Sequence, residues 1–169
     1  DYIGVIGFDD VPFIALPISP VANVRTSAAD RISRLFPTKK TNLFPALDEA
    51  RRGMARVSAG RKHLIVLTDG KLPDPGPYYF DLVKQMRVLG VTVSTVVVGN
   101  DADDGFLAQL AEVGGGAFYQ TADPSNLPKI FLSDVKVASN ERSLKEDSEI
   151  QVSTGPSGIH STNLSDFPP

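Results

Sequence analysis

Asp69 and Thr41 are the residues of this chain whose type and placement best suit chemistry. Asp69 directly follows the aliphatic run in "HLIVLTDGKLPD" (63–74), a stretch whose apolar, β-branched character predicts a strand. In open α/β sheets ligands gather at the carboxyl ends of the strands, which is where this carboxylate would stand. Thr41, in "KKTNLFPALDEA", precedes an amphipathic helix and offers a hydroxyl oxygen of the kind a hard divalent cation accepts. Both positions have a purely structural alternative. Asp-Gly is a common turn pair, and a threonine ahead of a helix is a common cap. Thr68, at the same strand end, has no histidine placed to activate it as a nucleophile and reads as a turn residue.

Composition narrows the chemistry further. The 169 residues contain no cysteine and only two histidines, His63 and His160, which excludes a disulfide framework, a thiolate zinc site, a thiol nucleophile and a histidine-rich metal site. His63 itself reads as a strand-start residue. A hydrophobic content of 41% with 22% charged residues is the profile of one soluble globular domain. No apolar run approaches the roughly 20 residues that span a bilayer. Residues 139–169 carry Arg142 and Lys145 against Glu141, Glu146, Asp147, Glu149 and Asp166, a net of −3, so the body of the chain is neutral. A neutral body without a basic stripe argues against nucleic acid as a partner.

The elements that must position Asp69 and Thr41 follow from the pattern of the body, residues 1–138. "YIGVIGF" (2–8) and "VPFIALPIS" (11–19) predict a hairpin whose second strand, broken by Pro12 and Pro17, belongs at an edge. Val24, Ala28, Ile32 and Leu35 share one helical face, and Pro37 should end that helix. Leu43, Ala46, Leu47, Ala50, Met54 and Val57 predict a second helix with Pro45 in its first turn. Then come the strand 63–67, a helix with Tyr79, Leu82, Val83, Met86 and Leu89 inward, and the strand "VTVSTVVVG" (91–99). A helix follows, capped by Asp103 and bearing Phe106, Leu107, Leu110 and Val113. The last strand is "GAFYQTA" (116–122), and a final helix from Asp123-Pro124 should bury Leu127, Ile130 and Phe131. Apolar strands alternating with amphipathic helices predict an α/β fold, doubly wound, with a mostly parallel sheet covered on both faces.

In order and separation, "IGVIGFDD", "TNLFPALDEAR", "HLIVLTDGKLPD" and "GVTVSTVVVGNDADDGFLAQLAEVGGGAFYQTADPSNLPKIF" resemble a von Willebrand factor A domain over residues 1–138. The resemblance implies a metal-ion-dependent adhesion site that holds Mg²⁺ or Mn²⁺ between three loops: a D-x-S-x-S motif, a threonine matched here by Thr41, and an aspartate matched by Asp69. It also implies a non-enzymatic function, in which the metal's open position accepts an acidic side chain from a protein partner. The chain contains no D-x-S-x-S and opens at what looks like the family's second strand. The expectation is therefore a fragment that lacks the first strand and helix, with an incomplete metal site and no tightly bound ion. Lys39 and Lys40, standing where many relatives place glycines, read as solvated.

A missing central strand would either leave its two neighbours with unpaired edges or make them close up against each other; exposed edges predict a dimer through strand pairing or segment exchange. The alternative function from the residues alone is Mg²⁺-dependent phosphoryl-transfer or hydrolase chemistry at Asp69, or a purely structural role in a membrane-associated assembly. Residues 139–169, rich in Ser, Pro, Gly and charge, read as a linker or the start of another domain. They resemble the junction that precedes a glutamine-amidotransferase-like domain in bacterial membrane-anchored proteins, with "EIQVS" (149–153) as a strand without partners. "GGG" (114–116) reads as a helix C-cap, and Asp101, Asp103 and Asp104 as capping and solvated residues. "NLS" (163–165) fits the short glycosylation-acceptor pattern.

Overall fold

The structure, a computed structural model, describes residues 1–35, 41–69, 72–99 and 104–146, with side chains described in α5 only up to residue 139. Its elements are β1 (Tyr2–Phe8), β2 (Pro12–Pro20), α1 (Val21–Ser33), α2 (Leu43–Ala55), β3 (Lys62–Thr68), α3 (Pro77–Val88), β4 (Val91–Val98), α4 (Asp104–Gly114), β5 (Gly115–Thr121), a 3-10 turn (Pro124–Asn126) and α5 (Leu127–Glu146). The expected alternation of strands and helices is present, and the fold is α/β.

The strands form two sheets. β3, β4 and β5 are parallel and pair in that order, with His63 beside Thr92 and Leu67 beside Val96. β1 and β2 form a separate antiparallel hairpin. The prolines do not break β2. Instead, Pro17 and Ile18 together face Gly4, because the register passes from Ile3 opposite Ser19 to Val5 opposite Leu16. Such a bulge leaves one residue out of the ladder, which accommodates a proline that cannot donate. Gly4 allows the close approach: a Cβ there would stand 2.8 Å from Ile18 Cγ1.

Alternation along β4 explains the two covered faces. Val91, Val93 and Val97 point into a core shared with Leu43 and Leu47 of α2, Leu82, Val83 and Met86 of α3, and Leu107 and Leu110 of α4. The intervening Ser94 points the opposite way, where α5 lies, and its hydroxyl reaches Asp134. Leu64 and Val66 of β3 join the first face, and Ile6 and Phe8 of β1 pack against the same core. Each fully buried aliphatic side chain of this core contributes roughly 1.5–3 kcal/mol.

Three expectations are corrected. α1 has the predicted apolar spacing, yet none of its residues is buried and Ile32 is 42% exposed, because the helix packs only on the hairpin. α2 ends at Ala55, leaving Val57 beyond it. Leu127, Ile130 and Phe131 of α5 are half-buried, and the fully buried position on that helix is Asp134. Gly114 closes α4 and Gly115, at φ +65°, turns the chain into β5, which fits the C-cap reading of the triple glycine. α5 runs on through the boundary expected at 138/139. Pro37, Lys39, Lys40, Asp101, Asp103, the 149–153 segment and the 163–165 pattern lie outside the described residues.

Candidate functional site

The carboxyl edge of the parallel sheet is built from loops that follow strands. β3 delivers Thr68, buried, and then Asp69, exposed. Thr41 is half-buried, two residues ahead of α2. Its neighbour Asn42 is the N-cap, and that side chain makes no cap hydrogen bond; Thr41 stands one residue ahead of the cap, as a near-cap residue. Asn42 ties this loop to the β1–β2 turn instead. Its backbone N–H donates to the Asp9 carbonyl at 2.7 Å, and its side-chain amide donates to the Asp10 carbonyl at 3.3 Å. Since α2 begins beside the end of β1 and β3 begins after the end of α2, Thr41 and Asp69 share the carboxyl edge.

Other carboxylates on this edge have local structural work. Asp9 Oδ1 accepts from the Val11 N–H at 3.1 Å, forming the hairpin turn. Asp74 accepts from the Tyr78 hydroxyl at 2.9 Å, and the Tyr78 ring lies so close over Gly76 that a Cβ there would be 2.3 Å from Cε1. Asp123 accepts from Ser125 N–H at 2.9 Å and Ser125 Oγ at 2.6 Å; these bonds hold its carboxyl below the usual aspartate range. Aromatic rings fill the space beneath: Phe44, Tyr78, Tyr79 and Phe106 make edge-to-face or stacked pairs at 4.9–5.4 Å. Burial within this cluster pushes the Tyr79 hydroxyl up to about 12.

The donor chemistry of Thr41 and Asp69, one hydroxyl and one carboxylate, is that of a hard-cation site. The set is small. Among the described residues no group of three or more His, Asp or Glu side chains could hold a metal.

A second polar centre lies at the opposite, amino edge. His63 Nε2 donates to Asp134 Oδ2 at 2.7 Å, and its Nδ1 lies 2.7 Å from Thr92 Oγ1. Ser94 Oγ donates to Asp134 Oδ1 at 2.7 Å and accepts from Ala117 N–H at 2.9 Å. Burial, together with the nearby charge of Asp134, raises the Tyr119 hydroxyl above its ordinary value. Sequence reasoning read His63 only as a strand start and missed Asp134. The available signal was an acidic residue at the next helical step of the 127, 130, 131 stripe, a position that should have been apolar. The order of the three groups excludes a nucleophilic triad, because the serine proton goes to the aspartate and not to the histidine.

The von Willebrand factor type A domain model matches residues 1–132. The chain belongs to this family. Uncharacterized protein YwmC of Bacillus subtilis is 30% identical over 109 residues, covering 62% of this chain and 47% of YwmC. The chain thus matches about half the length of that relative. Among solved structures, the conserved hypothetical protein BatB from Bacteroides thetaiotaomicron superposes with a TM-score of 0.70 at 18% identity, covering 83% of this chain and 80% of BatB. Proximal thread matrix protein 1 from the mussel byssus, with a zinc-occupied MIDAS motif, superposes with a TM-score of 0.63 at 20% identity, over 80% of this chain and 35% of that one. At these identities the two structures speak for the fold. Domains of this family are generally interaction modules and not enzymes. Among the described residues no helix is long and apolar enough to cross a membrane.

Proposed function

We propose that this chain is part of a metal-ion-dependent protein-interaction module, with Thr41 and Asp69 as the two ligands it contributes to an Mg²⁺ or Mn²⁺ site. The reading rests on topology: Thr41 lies just ahead of α2, beside the turn that follows β1, and Asp69 directly follows β3, within a von Willebrand factor type A fold. A hydroxyl and one carboxylate leave most of the ion's charge unneutralised, so the bound ion would attract a carboxylate from a protein partner. No catalytic step is required of either residue.

Two protein ligands satisfy a minority of the about six positions that Mg²⁺ fills. We infer that the site is completed by a further loop, and the split sheet supports this. Among the described residues β1 pairs only with β2 and β3 only with β4, while Ile6 and Phe8 of β1 pack against the core to which Val66 of β3 belongs. One more strand between β1 and β3 would pair both edges and bring a third loop to the carboxyl edge. Without it, the same edges favour pairing between two copies of the chain. We place the whole protein in a bacterial membrane-anchored assembly on the resemblance of residues 139–169 to the junction described above.

Calorimetric titration tests the site. The chain alone should show no tight Mg²⁺ or Mn²⁺ binding, whereas a longer chain carrying a D-x-S-x-S loop ahead of Asp1 should bind and Asp69→Ala should abolish that binding. Micromolar binding by the 169-residue chain, lost in Asp69→Ala, would overturn the incomplete-site reading. Tight binding by the longer chain that survives both Thr41→Ala and Asp69→Ala would overturn the assignment of ligands.

A further inference from the structure

The amino edge of the parallel sheet, opposite the loops of Thr41 and Asp69, gathers basic side chains that are scattered in the sequence. Arg56 caps the end of α2, and Arg61 and Lys62 lead into β3. Lys62 pairs beside Val91, so Arg61 stands next to the turn between α3 and β4, which holds Leu89 and Gly90. Arg87, in the last turn of α3, reaches toward β5: its Nη1 donates to the Val113 carbonyl at 3.4 Å, and a Cβ on Gly115 would stand 2.9 Å from its Cζ. Adjacent strands lie about 5 Å apart, so three strand ends set Arg61, Lys62 and Arg87 along a front of about 10 Å. On the same turn Val88 is 88% exposed, the highest value among the exposed large hydrophobic side chains, and Leu89 is 38% exposed.

Local structure explains part of this set. Cations favour helix C-termini, which accounts for Arg56 and Arg87, and a single exposed valine is ordinary. Arg61 and Lys62 belong to no helix. Arg34, Arg51 and Arg52 are ion-paired with Asp30 or Asp48, whereas Arg56, Arg61, Lys62 and Arg87 form no ion pair among the described residues. Of the carboxylates on this side, Asp134 is buried, Glu112 shares a groove with Lys84, and Asp1 lies on the separate hairpin. We propose that the amino edge docks on an anionic phospholipid surface, with Arg56, Arg61, Lys62 and Arg87 against the headgroups and Val88 and Leu89 in the interfacial layer.

Charge and apolarity together select this partner. Each basic side chain close to an anionic bilayer adds attraction, and aliphatic tips gain by leaving water for the boundary between headgroups and acyl chains. A nucleic acid backbone would satisfy the cations but leave Val88 and Leu89 in water. The opposite edge fixes the orientation. Asp9, Asp69, Asp74 and Asp123 lie in loops of the carboxyl edge, which the same lipid surface repels. Docking by the amino edge therefore turns Thr41 and Asp69 away from the lipid, toward a protein partner. The docking itself uses neither residue and no metal.

Co-sedimentation of the 169-residue chain with vesicles tests the proposal, in EDTA and at low ionic strength, where screening is weakest. The chain should bind vesicles rich in phosphatidylglycerol and leave phosphatidylcholine vesicles unbound. One basic side chain is worth about fivefold in partitioning, so Arg61→Gln should weaken binding about fivefold, and Arg56→Gln combined with it about 25-fold. Val88→Ser should weaken binding severalfold without changing charge. Arg34→Gln, an equal change in net charge at the far end of α1, should leave binding unchanged. Absence of binding to phosphatidylglycerol vesicles overturns the proposal, as does binding that Arg34→Gln weakens as much as Arg61→Gln. Binding that Arg61→Gln weakens and Val88→Ser does not, or retention on heparin without vesicle binding, would assign the edge to an acidic macromolecule and overturns it equally.

Discussion

Asp69 and Asp134 are the same residue type with opposite environments, and the contrast sets what each can do. Asp69 is exposed at a strand end, where a cation and a partner have access; Asp134 is buried among donors. Burial pushes the Asp134 carboxyl up, but the hydrogen bonds from His63 and Ser94 outweigh it. A carbon-13 NMR titration of the aspartate carboxyls should therefore show Asp134 titrating below the ordinary 3.8, and Asp134 at or above that value would contradict this geometry. Gly116 makes a separate prediction. A Cβ there would stand 2.3 Å from the Val93 carbonyl oxygen and 2.6 Å from Ser94 Oγ, and the carbonyl belongs to the central strand. Gly116→Ala should thus cost at least about 1–3 kcal/mol in urea denaturation, the usual penalty of overpacking. Asp69 was legible in the sequence because a carboxylate directly after an aliphatic run marks where a buried strand reaches solvent. Asp134 was not, because its donors come from positions 40 and 71 residues away and meet only in the folded sheet.

At the scale of elements, spacing predicted each helix and left burial undecided. α1 and α2 both carry apolar residues at helical intervals. α2 buries Leu43, Ala46, Leu47 and Ala50, whereas α1 buries nothing. Truncation should reveal the difference. Leu47→Ala, at a position 1% exposed, should destabilise the protein by about 2–5 kcal/mol. Ile32→Ala, at a position 42% exposed, should stay within about 0.5 kcal/mol. Comparable costs for the two would mean that α1 is packed against something in solution that covers its apolar face. β2 teaches a related lesson: two prolines signal an irregular edge strand, but the bulge opposite Gly4 lets the strand continue through Pro17.

For the whole molecule, the division into a three-stranded and a two-stranded sheet is the dominant feature. Backbone groups along the open sides of β1 and β3 have no ladder partner among the described strands, and sheet edges of this kind recruit other strands. The chain should sediment as a dimer at micromolar concentration. Ile3→Lys, which places a charge on β1 at a side chain already 41% exposed, should shift it toward monomer. A monomer for the unsubstituted chain would remove strand pairing as the response to the open edges.

The sequence by itself determined the fold class, the order of the elements and the position of Asp69 at a strand end. These depend on local periodicity and turn chemistry, which are written in neighbouring residues. Only the tertiary structure decided that α1 would stay uncovered, that the sheet would divide between β1 and β3, and that a buried aspartate on α5 would accept hydrogen bonds from His63 and Ser94. Each of these depends on which surfaces meet across long stretches of chain. A helix of given spacing is buried or exposed according to what lies against it, and a carboxylate is clamped or solvated according to which donors the fold brings within reach.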